Sequence, residues 1–466
     1  MTPWQAFYAS VKDPSWPSCD LEQDFAQLPA WIQKECVETH GYRPGEYQSQ
    51  PARIQRQFPI RTKTACQLKW TWSTVFLPLA TTASCHRTNH HKFNLKQFDF
   101  HNTAAKRQDR HAMMQGQWPR QGCEYCQNIE AAGGQSDRQT NLDMPGFDYP
   151  KELDQDPRAV VVTPRILEVY FDNVCNLKCV YCGPWFSSLW QSENARSTNQ
   201  VPIYALQPWT KDSDLDVNKI RLWAWMDNNA QHLSQFHMLG GEPLYQRDLD
   251  DCINFFTRKP CPDLEFHMFS NLVTTPQRLE SVLAKFKELI DNKHLRTLHV
   301  TASLDCWGAA QEYVRYPIKL DQWQKNFEHL MSHHWVKITI GSTITPLTVG
   351  TLPDLIERLN TWRTQRPIGH YFNSVTDPDY MHIDIFGDLF ADDFRRAIEL
   401  CPATTPEENT KRGYLEGIAA QSASGKVDQE MVAKLLTFLD EIDARRGTSW
   451  RSTFPWLVDQ KNQHVL

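Results

Sequence analysis

The stretch from Asn173 to Pro184 reads N-V-C-N-L-K-C-V-Y-C-G-P and holds the densest group of cysteines in the chain. It places Cys175, Cys179 and Cys182 in a C-x3-C-x2-C array directly after an apolar run. Three thiolates on one loop can ligate three irons of a four-iron cluster, which leaves the fourth iron open to a substrate or cofactor. Three close cysteines are also compatible with part of a zinc site, so spacing alone leaves both possibilities open.

The spacing of these cysteines resembles that of the radical S-adenosylmethionine (radical SAM) superfamily, and Tyr181 before the third cysteine fits the same pattern. In that superfamily the unique iron binds the amino and carboxylate groups of SAM. One electron then breaks the S–C5′ bond of SAM and gives a 5′-deoxyadenosyl radical. The resemblance therefore implies that Cys175, Cys179 and Cys182 hold a [4Fe–4S] cluster to which SAM binds.

Composition sets limits on the compartment and the partners. The chain has 466 residues, 41% of them hydrophobic, which predicts two or three domains. A net charge of −6 gives no basic surface, so we expect no nucleic-acid partner. The sequence shows neither a long apolar run nor a signal peptide, so we expect no membrane partner. Thirteen cysteines without a secretory signal favour metal ligands or catalytic groups over disulfides, which predicts a cytoplasmic enzyme.

From Arg165 onward, short apolar runs alternate with helical patterns, which predicts a parallel sheet built from βα units. The runs are Ile166–Phe171, Gln235–Leu239, Glu265–Phe269, Leu298–Ser303, Val336–Gly341 and Ile368–Phe372. The resemblance to the superfamily implies that these six units form an α/β fold, a partial (βα)6 TIM-like barrel. In barrels of this kind the chemistry lies at the carboxyl ends of the strands.

Polar and glycine residues follow the second and third runs. The second run is followed by G-G-E-P, that is Gly240, Gly241, Glu242 and Pro243. Two glycines expose backbone to a ligand, and in the superfamily this motif holds the amino group of SAM. After the third run, Ser270 and Asn271 occupy positions where the superfamily often places a polar residue near SAM.

The later runs supply further candidates. Ser303 and Asp305 lie at alternate positions after the fourth run, where a hydroxyl and a carboxylate suit a ribose diol. The guanidinium of Arg315 matches the SAM carboxylate. The resemblance implies that the adenine is lined by the segment after the fifth run, through Gly341, Thr343 and Ile344.

Cys306 follows Asp305 directly at the predicted mouth of the barrel. A thiol at this point could donate a hydrogen atom to a substrate radical, which makes Cys306 the candidate catalytic residue. The simpler interpretation is a small side chain that packs in the core, because free cysteines are usually buried and inert.

A second set of cysteines precedes the core: Cys66, Cys85, Cys123 and Cys126. Two separate cysteines and a C-x2-C pair can close a tetrahedral zinc site or a four-iron cluster, and spacing does not decide between them. The region resembles the twitch domain, a half-length relative of the SPASM domain that carries an auxiliary cluster in some radical SAM enzymes. The resemblance includes the run from Gly133 to Arg138, whose guanidinium could bind a carboxylate in a forked geometry. It implies a second [4Fe–4S] cluster that relays electrons.

These features predict four regions: a helical segment over 1–60, the twitch domain over 61–150, the radical SAM barrel over 151–385 and a helical region over 386–466. The predicted function is a radical SAM enzyme that abstracts a hydrogen from its substrate and takes electrons from a reductant such as flavodoxin or ferredoxin. SPASM and twitch relatives often modify peptides, so the resemblance implies a peptide or protein side chain, in the kind of modification made to ribosomal peptides (RiPPs). An epimerase or dehydrogenase of a sugar, nucleotide or other small metabolite is the alternative. A structural zinc protein or an electron carrier is the non-enzymatic alternative.

Overall fold

The computed structural model of the chain describes residues 64–85, 88–119, 122–131, 136, 138–139, 161–197, 215–375 and 377–458. The predicted helical segment over 1–60 lies outside the described residues. The chain divides into two compact units. In the first, the described residues fall within 64–73, 83–94 and 99–165, and in the second within 74–82, 95–98 and from 166 onward.

The N-terminal part begins with α1 (Leu68–Thr71), β1 (Trp72–Phe76), β2 (Thr81–Ala83), β3 (His91–Lys92), α2 (Ala104–Met114) and α3 (Glu124–Ala131). Thr103 caps α2, because its hydroxyl accepts from the backbone N–H of Lys106 at 3.2 Å. α2 buries two basic side chains in the first unit. Arg110 donates to the Lys69 and His101 carbonyls at 2.7 and 2.8 Å. The Lys106 amino group donates to the Ala83 carbonyl at 2.8 Å, so backbone oxygens replace the water that both side chains lose, although burial still lowers the pKa of Lys106 well below its usual value.

The second unit is built on six parallel strands that lie side by side in chain order: β4 (Ile166–Tyr170), β5 (Gln235–Leu239), β6 (Cys261–Ser270), β7 (Leu295–Ser303), β8 (Lys337–Ile344) and β9 (Gly369–Ser374). All six predicted runs are strands, which confirms the α/β class. β5 lies along one edge of β4, and β1 pairs with the opposite edge of β4. β2 in turn pairs with β1. The finer prediction, closure into a partial barrel, stays a prediction.

Helices separate the strands, as βα units require. They are α4 (Ser188–Arg196), α5 (Leu215–Asn229), α6 (Arg247–Arg258), α7 (Pro276–Asp291), α8 (Ala309–Val314), α9 (Leu320–Ser332) and α10 (Leu352–Arg363). Four more follow β9: α11 (Ala391–Leu400), α12 (Pro406–Ser424), α13 (Gln429–Arg446) and α14 (Trp450–Thr453). None of the helices in the described part of the chain is long and apolar enough to cross a bilayer.

Strand alternation separates an apolar face of the sheet from a polar one. On the apolar face, Phe236 of β5 and Phe266 of β6 are fully buried, and their ring centroids lie 5.5 Å apart. Phe256 of α6 packs edge-on against Phe236 at 5.9 Å, and Phe286 of α7 lies 4.8 Å from Phe266. Burial of each ring stabilises the fold by about 2–3 kcal/mol, so this face holds α6 and α7 against the strands.

Candidate active site

The cysteine loop follows β4 and is fixed at several points. The side-chain amide of Asn173 donates to the Pro184 carbonyl at 2.8 Å, which ties the two ends of the loop together. The backbone N–H groups of Lys178 and Val180 donate to the carbonyls of Tyr316 and Val314, both at 2.8 Å. These hydrogen bonds give the loop a defined shape.

The three thiols of this loop, Cys175, Cys179 and Cys182, lie in a buried environment. Burial raises the pKa of each thiol, and repulsion from the Cys179 sulfur adds to the effect on its two neighbours. The pKa of Cys182 rises to about 12. Thiols of this kind stay protonated unless a cation stabilises their thiolates, and the irons of a cluster supply that charge. The donor set therefore fits an iron–sulfur cluster.

The Gly240–Pro243 segment packs directly on the cysteine loop. Gly240 and Gly241 have φ values of +85° and +55°, a region that glycine adopts freely. A Cβ on Gly241 would overlap with the Val174 carbonyl oxygen. The next residue, Glu242, donates its backbone N–H to the same oxygen at 2.8 Å. The second glycine is thus what allows the two loops to touch.

We expect Gly241→Ala to displace the cysteine loop, because its Cβ must push the Val174 carbonyl away. Gly447→Ala is the matched control: Gly447 also has a positive φ, +66°, but a Cβ at this position would have no atom within 4 Å among the described residues. Both substitutions cost about 1 kcal/mol for the backbone conformation, and the overpacking at Gly241 adds about 1–3 kcal/mol. Melting temperatures and iron content measure the difference, and equal losses in the two variants would contradict the close approach.

The Glu242 carboxylate is fully enclosed and nearly saturated. One oxygen accepts from the Ser270 hydroxyl at 2.6 Å and the Leu244 N–H at 3.1 Å. The other accepts from the Asn271 N–H at 2.6 Å. A carboxylate has about four acceptor positions, so one is left for a ligand. Burial raises the pKa of Glu242 to about 7, despite these three hydrogen bonds that lower it.

Asp305 has partners that the sequence did not predict. Arg315 donates to its two oxygens at 2.8 and 2.9 Å, the Tyr181 hydroxyl donates at 2.7 Å, and the Thr343 N–H donates at 2.9 Å. These four bonds fill its acceptor positions, and the residue is fully buried. In this arrangement the carboxylate orients Arg315, and of the predicted ribose pair Ser303 alone is part-exposed. The contact between Asp305 and a ribose stays a prediction.

Arg315 keeps donors for a ligand after pairing with Asp305. Its Nε and one Nη2 hydrogen are used by the carboxylate, while Nη1 lies 4.0 Å from the Cys179 sulfur. The guanidinium carries five N–H groups. Two of them bind the carboxylate and one is directed at the Cys179 sulfur, which leaves two for a ligand. The arrangement places positive charge beside the predicted cluster and fits the predicted contact with a SAM carboxylate.

Two other predicted residues are buried away from solvent. Cys306 is fully buried, its thiol donates to the Gln311 side chain at 3.6 Å, and burial raises its thiol pKa. A hydrogen donor must touch the substrate, so the structure argues against the catalytic prediction and supports the packing interpretation. Ile344 is also fully buried, so its side chain does not line an open site. Gly341 pairs with Ser303 across β7 and β8, and the Tyr371 hydroxyl would lie 2.7 Å from a Cβ at Gly341.

The sequence analysis missed residues that support the cysteine loop. The Trp190 indole N–H donates to the Cys179 carbonyl at 2.7 Å. The side-chain amide of Gln246 donates to the Gly240 carbonyl at 2.5 Å. Trp190 lies within eight positions after the cysteine array, and Gln246 lies within eight positions after the Gly240–Pro243 segment. A search for hydrogen-bond donors directly downstream of each motif would have identified them.

A row of polar residues on the second face of the sheet was also missed. Glu168, His237, His267, His299 and Lys337 are neighbours in register across β4 to β8. The rings of His267 and His299 stack at 4.0 Å. Burial, with the charges of its neighbours, lowers the pKa of His267 well below its usual value, which keeps its ring neutral. The signal was present, because Q-F-H-M-L, E-F-H-M-F and T-L-H-V-T each centre a histidine in a strand.

In the first unit, the four N-terminal cysteines line one cavity together with Lys69 and Arg138: Cys66, Cys85, Cys123 and Cys126. Burial raises the pKa of Cys66 and takes that of Cys123 to about 11. Arg138 forms the predicted fork with a carboxylate: it donates to both oxygens of Glu130, at 2.9 and 2.5 Å. Lys69 is paired in the same way with Asp109, at 2.6 Å, so both cations beside the four thiols have carboxylate partners.

Comparison with known proteins identifies part of the chain. Residues 169–359 match the family model described as the Radical SAM superfamily. A comparison with curated proteins found no match. The matched segment holds the cysteine loop, the Gly240–Pro243 segment and the Asp305–Arg315 pair, and the family implies SAM and a [4Fe–4S] cluster as cofactors. Residues 169–359 are therefore a radical SAM domain, and the protein that carries it is an enzyme.

Proposed function

We propose that this enzyme cleaves SAM reductively at a cluster held by Cys175, Cys179 and Cys182, and that it abstracts a hydrogen atom from a peptide or protein side chain. A second [4Fe–4S] cluster on the four N-terminal cysteines, in a twitch-type domain, relays electrons. A flavodoxin- or ferredoxin-like protein in the cytoplasm supplies them. A sugar, nucleotide or other small metabolite is the alternative substrate class.

The observation that carries this proposal is the contact between the Gly240–Pro243 segment and the cysteine loop. The backbone N–H of Glu242 binds the Val174 carbonyl, one residue before Cys175. The Glu242 carboxylate retains one acceptor position, which suits a ligand ammonium group. A buried carboxylate and three thiols in adjoining loops form a site for a cationic amino group next to a cluster. A structural zinc protein or an electron carrier would have no use for such a site.

Other residues complete the site. When bound, the cluster supplies the electron that breaks the S–C5′ bond of SAM. The free N–H groups of Arg315 bind a carboxylate, and Asp305 fixes their direction through two hydrogen bonds. The Ser303 hydroxyl is available to a ribose, and the segment of Gly341 and Thr343 lies at the end of β8 where the adenine is proposed to bind. Asn271 donates toward the Cys175 sulfur at 4.0 Å and so limits its movement.

The polar face of the sheet supports a polar substrate. The imidazole of His267 donates to or accepts from the Thr301 hydroxyl at 2.8 Å, and His299 does the same with Thr339. Glu265 stays ionised, because His299 and Lys337 offset its burial and hold its pKa at about 2. A surface that carries imidazole rings and an ionised carboxylate offers hydrogen bonds to amide or hydroxyl groups, and both substrate classes carry them.

We expect SAM affinity to increase as the pH rises through about 7. The pKa of Glu242 is about 7 in the folded chain against 4.5 in its usual state. Below pH 7 the carboxyl is neutral and loses its attraction for the SAM ammonium, so binding weakens about tenfold by pH 6 relative to its plateau. The same raised pKa stabilises the fold at low pH, and that contribution is lost between pH 4.5 and about 7. Equilibrium dialysis of labelled SAM measures the effect, and Glu242→Gln should abolish the pH dependence.

Anaerobic reconstitution tests the function. The purified protein is loaded with iron and sulfide, its metal content is counted, and SAM and dithionite are then added. We expect about eight irons per chain, as two four-iron clusters require, and release of 5′-deoxyadenosine. About four irons with intact SAM cleavage would support the enzymatic function and would show that the second cluster is absent. Zinc in place of iron, with no SAM cleavage, would refute the proposal.

The substrate class needs a separate experiment. Fractions of a cell extract of both low and high molecular mass are added to the reconstituted enzyme, and 5′-deoxyadenosine is measured above the rate without extract. Stimulation that disappears after protease treatment of the fraction supports a peptide. Stimulation that survives the protease assigns the enzyme to a small metabolite.

A further inference from the structure

A group of three metal-binding side chains lies on the outer helices, apart from both cysteine sets: Glu280, His329 and His333. Glu280 lies in α7, His329 lies in the last turn of α9, and His333 caps the same helix. One ligand atom from each residue lies within 4.8 Å of the other two. No other such group is found among the residues that the structure describes.

The two histidines lie four positions apart, which brings their rings to one face of the helix. Their ring centroids are 4.9 Å apart. The Glu280 Oε2 atom is 2.8 Å from Nε2 of His329 and 3.7 Å from Nε2 of His333. Ligands in a tetrahedral site with bonds of about 2.0–2.1 Å are roughly 3.3 Å apart, so the observed distances lie on either side of that value.

The orientation of His333 points to a cation. Its Nδ1 atom lies 3.0 Å from the His329 backbone carbonyl, which only accepts, so Nδ1 carries the hydrogen. In the neutral ring Nε2 is then an acceptor, and it faces a carboxylate oxygen, which is also an acceptor. Two acceptors face each other favourably only with a cation or a proton between them. A backbone carbonyl on the distal nitrogen is also the usual way in which proteins orient a metal-binding histidine.

We propose that Glu280, His329 and His333 form a site for one divalent transition-metal ion, Zn²⁺ by its ligand chemistry. Two imidazoles and one carboxylate suit Zn²⁺ better than Mg²⁺ or Ca²⁺, which prefer oxygen ligands. The side chains are 55%, 39% and 21% exposed, so water reaches the fourth position. The ion would join α7 to α9 on the outside of the second unit.

Equilibrium dialysis in a zinc buffer tests the proposal with the full-length protein. The double variant His329→Asn/His333→Asn is compared with His334→Asn, an exposed neighbour outside the group. Zinc bound by cysteines contributes equally to every variant, so the difference isolates this site. We expect the wild type and His334→Asn to bind one more zinc per chain than the double variant, and zinc to raise their melting temperatures further.

Glu280→Gln provides a second test that leaves both histidines in place. We expect it to weaken zinc binding at least tenfold and to remove the additional rise in melting temperature. Equal zinc content in the wild type and the double variant would overturn the proposal, and so would an unchanged affinity in Glu280→Gln. In either case a proton would account for the contact between His333 and Glu280.

Discussion

Substitution of Cys182 by alanine should abolish SAM cleavage while most of the fold persists. Cys182 supplies one of three protein ligands on the loop, and a cluster with an open iron has no fourth protein ligand to compensate. We expect iron to fall from about eight to about four per chain, and 5′-deoxyadenosine to fall to the level of a protein-free control. Iron analysis, SAM cleavage with dithionite and circular dichroism measure the three quantities.

The matched control is the double variant Cys123→Ala/Cys126→Ala in the first unit. It should lose a similar amount of iron, but dithionite can still reduce the other cluster, so release of 5′-deoxyadenosine should continue. Turnover with a protein reductant should then decrease if the second cluster relays electrons. If both variants stop SAM cleavage equally, the assignment of distinct roles to the two cysteine sets is wrong.

Features encoded within a few consecutive residues could be predicted from the sequence. The strand Gln235–Leu239 has the predicted bounds, and the helices Pro276–Asp291, Ala391–Leu400 and Gln429–Arg446 follow apolar patterns that are visible in the sequence. Each combines an apolar pattern with a nearby start or stop signal, such as Thr275 as the cap of α7, whose hydroxyl accepts from the Arg278 N–H. The cysteine loop and the Gly240–Pro243 segment were recognised for the same reason.

The environment of Asp305 could not be predicted in this way. Its partners Tyr181 and Thr343 are 124 and 38 residues away in the chain, and only the parallel sheet brings them together. Sequence alone showed that a carboxylate follows β7, but it did not show that four donors already occupy that carboxylate. The burial of Cys306 and Ile344 has the same origin, because the packing that covers them comes from other elements.

After loss of a cluster cysteine, the largest effect among the site residues should come from breaking the Asp305–Arg315 pair, and we expect that effect to be a loss of folding stability. Asp305→Asn leaves the Arg315 guanidinium buried without its counter-charge, and loss of one partner of a buried pair costs about 3–5 kcal/mol. For a unit of this size that corresponds to a decrease in melting temperature of roughly 5–15 °C. Asp392→Asn breaks an ion pair with Arg395 whose side chains are 91% and 65% exposed, so the melting temperature should stay nearly unchanged.

Two further variants separate the orienting role of Asp305 from ribose binding. Replacement of both charges in Asp305→Asn/Arg315→Met should recover much of the lost stability, because no unpaired charge remains, while SAM affinity stays low without the guanidinium. Ser303→Ala should weaken SAM binding and leave the melting temperature unchanged. If Asp305→Asn instead behaves like Ser303→Ala, with weaker SAM binding at full stability, then Asp305 binds the ribose and its four hydrogen bonds rearrange when SAM enters. A loss of stability in Asp305→Asn that the double variant restores would establish that the carboxylate acts through Arg315.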